Sequence, residues 1–587
     1  MEVHRGEDAK KGPQPEEDKK ERAHKSRAFP FPAGIGKGKF LFANPGSSQG
    51  SRTVPPPNRP TLPHPILDLI IDLRVPVSLK RHDPPRSLSF SHPLPPSFPM
   101  DSPRSRIGLF VGPAVFLFGY LLGPPGGLSG PEWAVAMTAV LMAIWWISEA
   151  LPLAATALVP IVLFPLLGVI DVDDITEAYG NDLIFLFLSG FFIAVTMQRW
   201  NLHRRIALRT IYLVGPSPRR IILGFMLATG GLSMWISNTA TAMMMLPIGL
   251  AVLRQSEDEA ERQGQPLHRG FGVALMLGIA YSASIGGIAT LIGTPPNAVL
   301  AGQAEALYGV EITFARWMLF GLPLSVLFLA VVWAYLTLGP LCRGLAPLSS
   351  GREPIRAEME ALGPMDTAEK RVLIVFLLVA FSWVFSSFLP AGVLPFFGDA
   401  SIGMTGALAL FLLPSGKEKG QRLLDWETAV RVPWDIVLLF GGGFALATGF
   451  ATTGLSESLA SALAVLDGTS IFLIIGVCIL IVVFLTEVTS NTATSTVFVP
   501  LMGALAVATS FNPIVLMAAV AVAASCAFML PVATPPNAIV FGSRALTIPD
   551  MAKAGLLLNF VTVILGTLFV YFFLPLALGL EVSATLE

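Results

Sequence analysis

The string Ser-Asn-Thr-Ala-Thr occurs at Ser237–Thr241 and again at Ser490–Thr494, each time inside an apolar run. Hydroxyl and amide side chains are poor company for lipid, and Asn competes with a helix for its backbone hydrogen bonds. A helix that breaks at such a string ends in free carbonyls and resumes in free N–H groups. The carbonyl end suits Na⁺, and the N–H end suits a carboxylate. Hydroxyl and amide groups serve both, because each can donate and accept.

A second string, TPPNA, occupies Thr294–Ala298 and recurs at Thr534–Ala538. Paired prolines donate no backbone hydrogen bonds and push the preceding residue out of helix. Thr294 and Thr534 should therefore be extended, with Gly293 and Ala533 just before them exposing carbonyls. Ser233 stands one helical turn before Ser237, and Thr486 one turn before Ser490, so each can face its string. None of the four strings contains Lys or Arg. An anion held there would rest on helix ends, side-chain donors and nearby cations, which makes sodium coupling physically attractive. Small polar residues also join helices in membrane bundles. That explains a lone Ser-Asn-Thr better than two copies, each followed by TPPNA.

The strings belong to a longer duplication. An offset of 253 pairs Ser237 with Ser490, Asp182 with Asp435, Gly190 with Gly443, Ser233 with Thr486, and Pro247 with Pro500. The TPPNA strings differ by 240, the change falling in the polar loop that contains SEDEAERQGQ. Repeats with broken spans in corresponding positions mark a secondary transporter whose cargo is held where the repeats meet.

Composition agrees. Of 587 residues, 53% are hydrophobic and 13% charged, about half the charge of a soluble domain. The apolar residues come in blocks of about 20, enough to cross a bilayer as helix. Spans are expected at roughly 107–124, 132–150, 151–170, 315–338, 370–390, 400–414 and 552–578. Blocks at roughly 180–200, 220–253, 270–303, 432–455, 470–507 and 512–545 are apolar but interrupted by Gly, Pro, Asn and Ser, and are expected to be broken. Non-helical backbone survives at that depth only where protein or a water-filled cavity covers it.

Residues 1–99 are rich in Pro, Lys, Arg and Ser and read as a disordered or non-native extension. The first transmembrane repeat is placed at 100–340, a cytoplasmic linker at 341–369 and the second repeat at 370–587. One basic segment holds Arg199, His203, Arg204, Arg205, Arg209, Arg219 and Arg220; the linker region holds Arg343, Arg352, Arg356, Lys370 and Arg371. Positive residues stay on the cytoplasmic side, so both segments should lie there. An odd number of crossings in each half would then invert the second repeat. The net charge of −1 points to no nucleic-acid partner. Cys342, Cys478 and Cys526 form no metal or redox spacing and read as packing residues. Glu149, Asp182, Asp435 and Glu487 lie in or beside apolar blocks; helix capping is the simpler role for Asp182 and Asp435, and Glu487 stands beside Thr486.

These motifs resemble the divalent anion–sodium symporter family, the sodium/dicarboxylate and sodium/sulfate carriers. Ala524–Val540, ASCAFMLPVATPPNAIV, is similar to that family's signature throughout, and Tyr281–Asn297, YSASIGGIATLIGTPPN, and both Ser-Asn-Thr strings fit its pattern. The resemblance covers about 105–580. It implies an all-α polytopic membrane protein with eleven spans, two inverted repeats, broken helices and two re-entrant helical hairpins, working as a homodimer by an elevator-like movement. By the same resemblance one sodium site maps to Ser233, Ser237, Asn238 and Gly293, and the other to Thr486, Thr489, Asn491 and Ala533. Substrate carboxylates would meet Ser237, Asn238, Thr239, Thr294 and Pro295, with Ser490, Asn491, Thr492, Thr534 and Pro535 opposite.

The leading expectation is Na⁺-coupled symport of C4-dicarboxylates such as succinate, fumarate and malate, across the plasma membrane, with the N-terminus cytoplasmic and no organic cofactor. Sulfate, citrate or another divalent anion, or exchange in place of symport, keeps the same fold. A membrane enzyme would need a paired nucleophile and base or a metal cluster, and the apolar blocks hold no His-rich or Cys-rich constellation. A purely structural or receptor protein would not need duplicated broken helices.

Overall fold

The computed structural model describes residues 102–262, 269–339, 353–386, 398–463, 465 and 468–582. The expected extension at 1–99, Cys342 and the first part of the linker lie outside the described residues.

Every regular element of any length among the described residues is helical, as an apolar chain with few charges requires in lipid. The first half runs α1 (Pro103–Leu122), α2 (Gly130–Ser148), α3 (Leu153–Thr156), α4 (Val159–Leu166), α5 (Val172–Glu177), α6 (Asp182–Arg199), α7 (Leu202–Val214), α8 (Pro218–Ser233), α9 (Asn238–Arg262), α10 (Arg269–Ile288), α11 (Pro295–Tyr308) and α12 (Phe314–Leu338). Next come α13 (Glu353–Leu362), α14 (Thr367–Ser386), α15 (Asp399–Leu412), α16 (Trp426–Ala429), α17 (Trp434–Thr453) and α18 (Leu455–Leu463). The last part holds α19 (Ile471–Thr486), α20 (Asn491–Ala508), α21 (Pro513–Ala524), α22 (Pro535–Gly542), α23 (Ile548–Leu568) and α24 (Leu574–Leu578).

Local chemistry starts several of these helices. Ser129 and Glu132 form a reciprocal capping box on α2, and the Asn512 side chain accepts from the Ile514 N–H at 3.0 Å to begin α21. Among the described residues, eight helical segments are long and apolar enough to cross a membrane. Outer helices present side chains such as Phe110, Leu121 and Leu412 outward, as lipid contact demands. By contrast, α10 is buried throughout from Phe271 to Ile288, so this apolar stretch is packed in protein on all sides.

Four of the six expected breaks are present. Helix gives way between α8 and α9, between α10 and α11, between α19 and α20, and between α21 and α22. The blocks at 180–200 and 432–455 are instead unbroken, forming α6 and α17. Their glycines serve close helix approach rather than a break. A Cβ at Gly442 would lie 2.3 Å from the Ala157 carbonyl oxygen, and one at Gly441 would lie 2.2 Å from the Tyr179 ring. The expected single span at 151–170 is also corrected. It is two short helices, with Pro152 before the first, Pro160 opening the second and Pro165 inside it. Asp182 and Asp435 lie in the first turns of α6 and α17, but the cap on α6 is the neighbouring Asn181, whose side chain accepts from the Leu183 N–H at 2.9 Å.

The two basic segments meet. The amphipathic α7 packs on α13 and α14. Arg205 makes a two-pronged ion pair with Glu369 at 2.6 and 2.9 Å and donates to the Gly363 carbonyl at 2.9 Å. Arg204 pairs with Glu358. The helix α13, in the stretch expected to be a linker, is thus fastened to α7.

Candidate functional site

Each Ser-Asn-Thr string lies at the turn of a helical pair, α8–α9 in the first repeat and α19–α20 in the second. In the first, the Ser233 hydroxyl lies 2.6 Å from Asn238 Oδ1 and 2.7 Å from the Ala283 carbonyl. In the second, the Thr486 hydroxyl lies 2.7 Å from Asn491 Oδ1 and 3.2 Å from the Ala524 carbonyl. One hydroxyl proton thus has two acceptors at each site. A cation seated on the hydroxyl and amide oxygens would turn that proton onto the carbonyl, which stands ready to take it. Both hydroxyls are fully buried.

The breaks before the TPPN strings are knitted by their own asparagines. Asn297 Nδ2 donates to the carbonyls of Gly287, Ile288 and Thr290 at 3.2, 3.2 and 2.8 Å. Asn537 Nδ2 donates to Ala527 and Leu530 at 3.1 and 3.0 Å. Gly287 pairs with Ala527 and Thr290 with Leu530 at the same offset of 240 that relates the strings. The duplication therefore extends from residue types to individual hydrogen bonds. Thr294 and Thr534 are extended, with φ −147° and −140°, and each begins a helix.

The two repeats are interleaved. The TPPN helix of the first repeat, α11, packs against the Ser-Asn-Thr helix of the second, α20; reciprocally, α22 packs against α9. Gln303 of α11 strengthens the first pairing, its Nε2 donating to the carbonyls of Gly443 and Thr496 at 3.3 and 3.2 Å. Neither α11 nor α20 has a side-chain cap, so their N-termini keep donor capacity and positive dipole ends. On α9 and α22 the Ser237 and Thr534 hydroxyls accept from the N–H groups of Ala240 and Asn537, both at 3.3 Å.

In the first set, Ser233, Asn238 and Gly293 come together. A Cβ at Gly287 would lie 2.8 Å from Asn238 Oδ1 and 2.9 Å from the Gly293 carbonyl oxygen. Ser237, Asn238 and Thr239 are half-buried, as is Pro295, and Thr294 is buried. In the second set, Thr486 and Asn491 come together; Ser490 is half-buried, Thr492, Ala533 and Thr534 are buried, and Pro535 is exposed. Thr489 turns elsewhere. Its hydroxyl donates to the Leu485 carbonyl at 2.9 Å and meets that of Thr494 at 2.7 Å.

Sequence reasoning did not assign the Ala283 and Ala524 carbonyls, Gly287, or the clamp formed by Glu487. That carboxylate accepts from the N–H groups of Phe528, Met529 and Leu530 at 2.7, 2.9 and 3.1 Å and from Asn559 Nδ2 at 2.8 Å. The offset of 253 places Met234 at the corresponding position of the first repeat. The signal available was a buried acid next to Thr486; backbone acceptors carry no side-chain signal at all. Among the described residues no group of three or more His, Cys, Asp or Glu is placed to hold a metal ion. Cys478 and Cys526 are buried and form no disulfide. A mainly apolar cavity of about 350 Å³ between α14 and α15, lined by residues such as Leu378, Phe381 and Ile402, offers a dianion no cationic side chain.

Comparison with known proteins places these features in a family. The sodium:sulfate symporter transmembrane region matches residues 105–578. The chain is 44% identical over 484 residues to the sodium-dependent dicarboxylate transporter SdcS of Staphylococcus saprophyticus, covering 82% of this chain and 93% of that protein. It is 43% identical to SdcS of Staphylococcus aureus over the same shares. Among solved structures, Neisseria gonorrhoeae MtrF, described as illuminating a class of antimetabolite efflux pumps, aligns with a TM-score of 0.51 at 13% identity. That match covers 79% of this chain and 97% of MtrF and speaks to fold alone.

Proposed function

We propose that this chain, which belongs to the sodium:sulfate symporter family, is a secondary transporter that couples the inward movement of a C4-dicarboxylate to Na⁺. Its relatives at 43–44% identity are sodium-dependent dicarboxylate transporters, which favours succinate, fumarate or malate over sulfate as cargo. The observation that carries the reading is the doubled hydroxyl–amide pair. Ser233 with Asn238 and Thr486 with Asn491 repeat one geometry at 2.6 and 2.7 Å, and each pair is backed by a carbonyl that can take the hydroxyl proton.

In this reading Ser233, Ser237, Asn238 and Gly293 hold one Na⁺, and Thr486, Thr489, Asn491 and Ala533 hold a second. The cargo's carboxylates meet Ser237, Asn238, Thr239, Thr294 and Pro295 from one repeat and Ser490, Asn491, Thr492, Thr534 and Pro535 from the other. Two bound Na⁺ offset the two charges of a dicarboxylate. That compensation matters in strings with no basic residue, and it makes cargo binding weak unless sodium is present. The helical pairs α8–α9 and α19–α20 act as re-entrant hairpins of two inverted repeats. They move as one body past a scaffold in a homodimer seated in the plasma membrane, with the N-terminus and the α7–α13 cluster cytoplasmic.

Counterflow in proteoliposomes tests the cargo. Labelled succinate should exchange into vesicles preloaded with succinate, and unlabelled fumarate or malate should compete better than sulfate or citrate. Counterflow driven by sulfate and indifferent to succinate would assign the chain to the sulfate branch instead.

A further inference from the structure

Both candidate sodium sites are wired to one helix of the first repeat. On α10, the Ala283 carbonyl lies 2.7 Å from the Ser233 hydroxyl of the first site. Two residues earlier on the same helix, the fully buried Tyr281 hydroxyl donates to the Phe528 carbonyl at 2.9 Å, and lies 3.4 Å from the Met551 carbonyl. Its ring meets that of Phe528 edge-on with centroids 5.1 Å apart. Phe528 sits in the non-helical stretch between α21 and α22 that closes the second site. Its N–H donates to Glu487 at 2.7 Å, and Glu487 is the chain neighbour of Thr486. The connection runs from Asn238 through Ser233, Ala283, Tyr281, Phe528, Glu487 and Thr486 to Asn491, with a hydrogen bond or a short stretch of backbone at each step.

We propose that Tyr281 is a positioning residue that couples sodium binding at the two sites. The proposal rests on the functional reading above and goes beyond it by assigning a residue outside both ligand sets. A cation at the first site turns the Ser233 hydroxyl's hydrogen bond wholly to the Ala283 carbonyl and draws α10 into register. Tyr281 then holds the Phe528 carbonyl, and with it the row of N–H groups that fixes Glu487 beside Thr486. Glu487 is 3% exposed and no Lys or Arg pairs with it among the described residues. Its fixed negative charge strengthens cation binding next door only if the loop holding it is itself fixed. Sodium at either site thereby improves the other, and coupling is reciprocal by thermodynamic necessity. The link consists of contiguous hydrogen bonds and backbone steps rather than spatial proximity alone.

The test is the shape of the sodium dependence. With the full-length protein in liposomes, labelled-succinate uptake is measured against external Na⁺. Wild type should be sigmoidal, with a Hill coefficient of about 2. Tyr281→Phe, which removes only the hydroxyl, should lower it clearly below the wild-type value and raise half-saturating Na⁺ about fivefold. The succinate KM at saturating Na⁺ should stay within about twofold. A merely structural role would lower the amount of folded carrier and the maximal rate while leaving the shape of the sodium curve alone. Glu487→Gln cuts the next link and should give the same loss of sigmoidicity; it decides the matter if Tyr281→Phe does not fold. A folded variant of either kind with the wild-type Hill coefficient and half-saturation overturns the coupling. Wild-type uptake that ignores Na⁺ would overturn the functional reading itself.

Discussion

The Ser233 hydroxyl lies 2.6 Å from Asn238 Oδ1 across the turn that joins α8 to α9. Both atoms can face a cation, because the hydroxyl proton has the Ala283 carbonyl as its alternative at 2.7 Å. The second repeat builds the same arrangement from Thr486, Asn491 and Ala524. A β-branched Thr and a Ser therefore fill one role, which identifies the hydroxyl as the group that matters.

Exchange between the two should accordingly be tolerated. Ser233→Thr and Thr486→Ser should keep sodium-dependent uptake, while Ser233→Ala, Asn238→Ala and Asn491→Ala should each lose it with membrane insertion intact. Loss of one such ligand is worth about 2–3 kcal/mol, on the order of a hundredfold in affinity. Uptake assays beside surface-expression measurements separate the two outcomes.

Gly287 is crowded by the first site rather than by the lipid or the outer scaffold. An alanine there would push on Asn238 Oδ1 and the Gly293 carbonyl, the two nearest oxygens. Overpacking of this kind costs about 1–3 kcal/mol. We expect Gly287→Ala to insert and to raise half-saturating Na⁺ about tenfold; a sodium titration of uptake reads it directly.

The Arg205–Glu369 pair is a stability element. Its side chains are 10% and 3% exposed, so Arg205→Met leaves a buried carboxylate unpaired at a cost of about 3–5 kcal/mol. Arg205→Met combined with Glu369→Leu should recover most of the loss. Thermal unfolding of the purified protein distinguishes the single from the double variant.

Acid should loosen the same end of the molecule. Burial, opposed by a hydrogen bond to the Met197 carbonyl and reinforced by Arg204, lowers His203 from 6.5 to about 4. The unfolded chain therefore binds its proton first. The stability carried by neutral His203 is full above pH 6.5 and is lost as pH falls toward 4. Asp425 and Asp366 are also depressed: burial opposes the shift, and the hydrogen bonds to Thr428 and Glu369 and the partners Arg199 and Lys417 outweigh it. Their contributions fade below the ordinary carboxylate range, in the same direction. Unfolding temperature should drop between pH 6.5 and pH 4, and His203→Gln should flatten that part of the curve.

Much of this was legible in the residues. Asn and Pro inside apolar blocks marked the four real breaks, because amide side chains and proline act on the backbone at their own positions. Gly did not discriminate. At Gly441 and Gly442 the missing Cβ makes room for Tyr179 and Ala157 in an unbroken helix, and only the neighbour reveals that. The offset of 253 found the hydroxyl–amide pairs because each lies within five residues of chain. It was silent on the interleaving of α11 with α20 and α22 with α9, and on Tyr281, whose partner Phe528 is 247 residues away. The clamp on Glu487 was equally hidden, since backbone N–H groups look alike in any sequence.

Gradient-driven accumulation shows whether the paired sites couple cargo to sodium. Full-length protein in sealed liposomes is given labelled succinate outside, with an inward Na⁺ gradient or with the same osmolarity of K⁺. Uphill accumulation that needs Na⁺, and that Asn238→Ala and Asn491→Ala each abolish, is the predicted result. Accumulation equal in K⁺, or undiminished in both variants, would contradict the paired-site account.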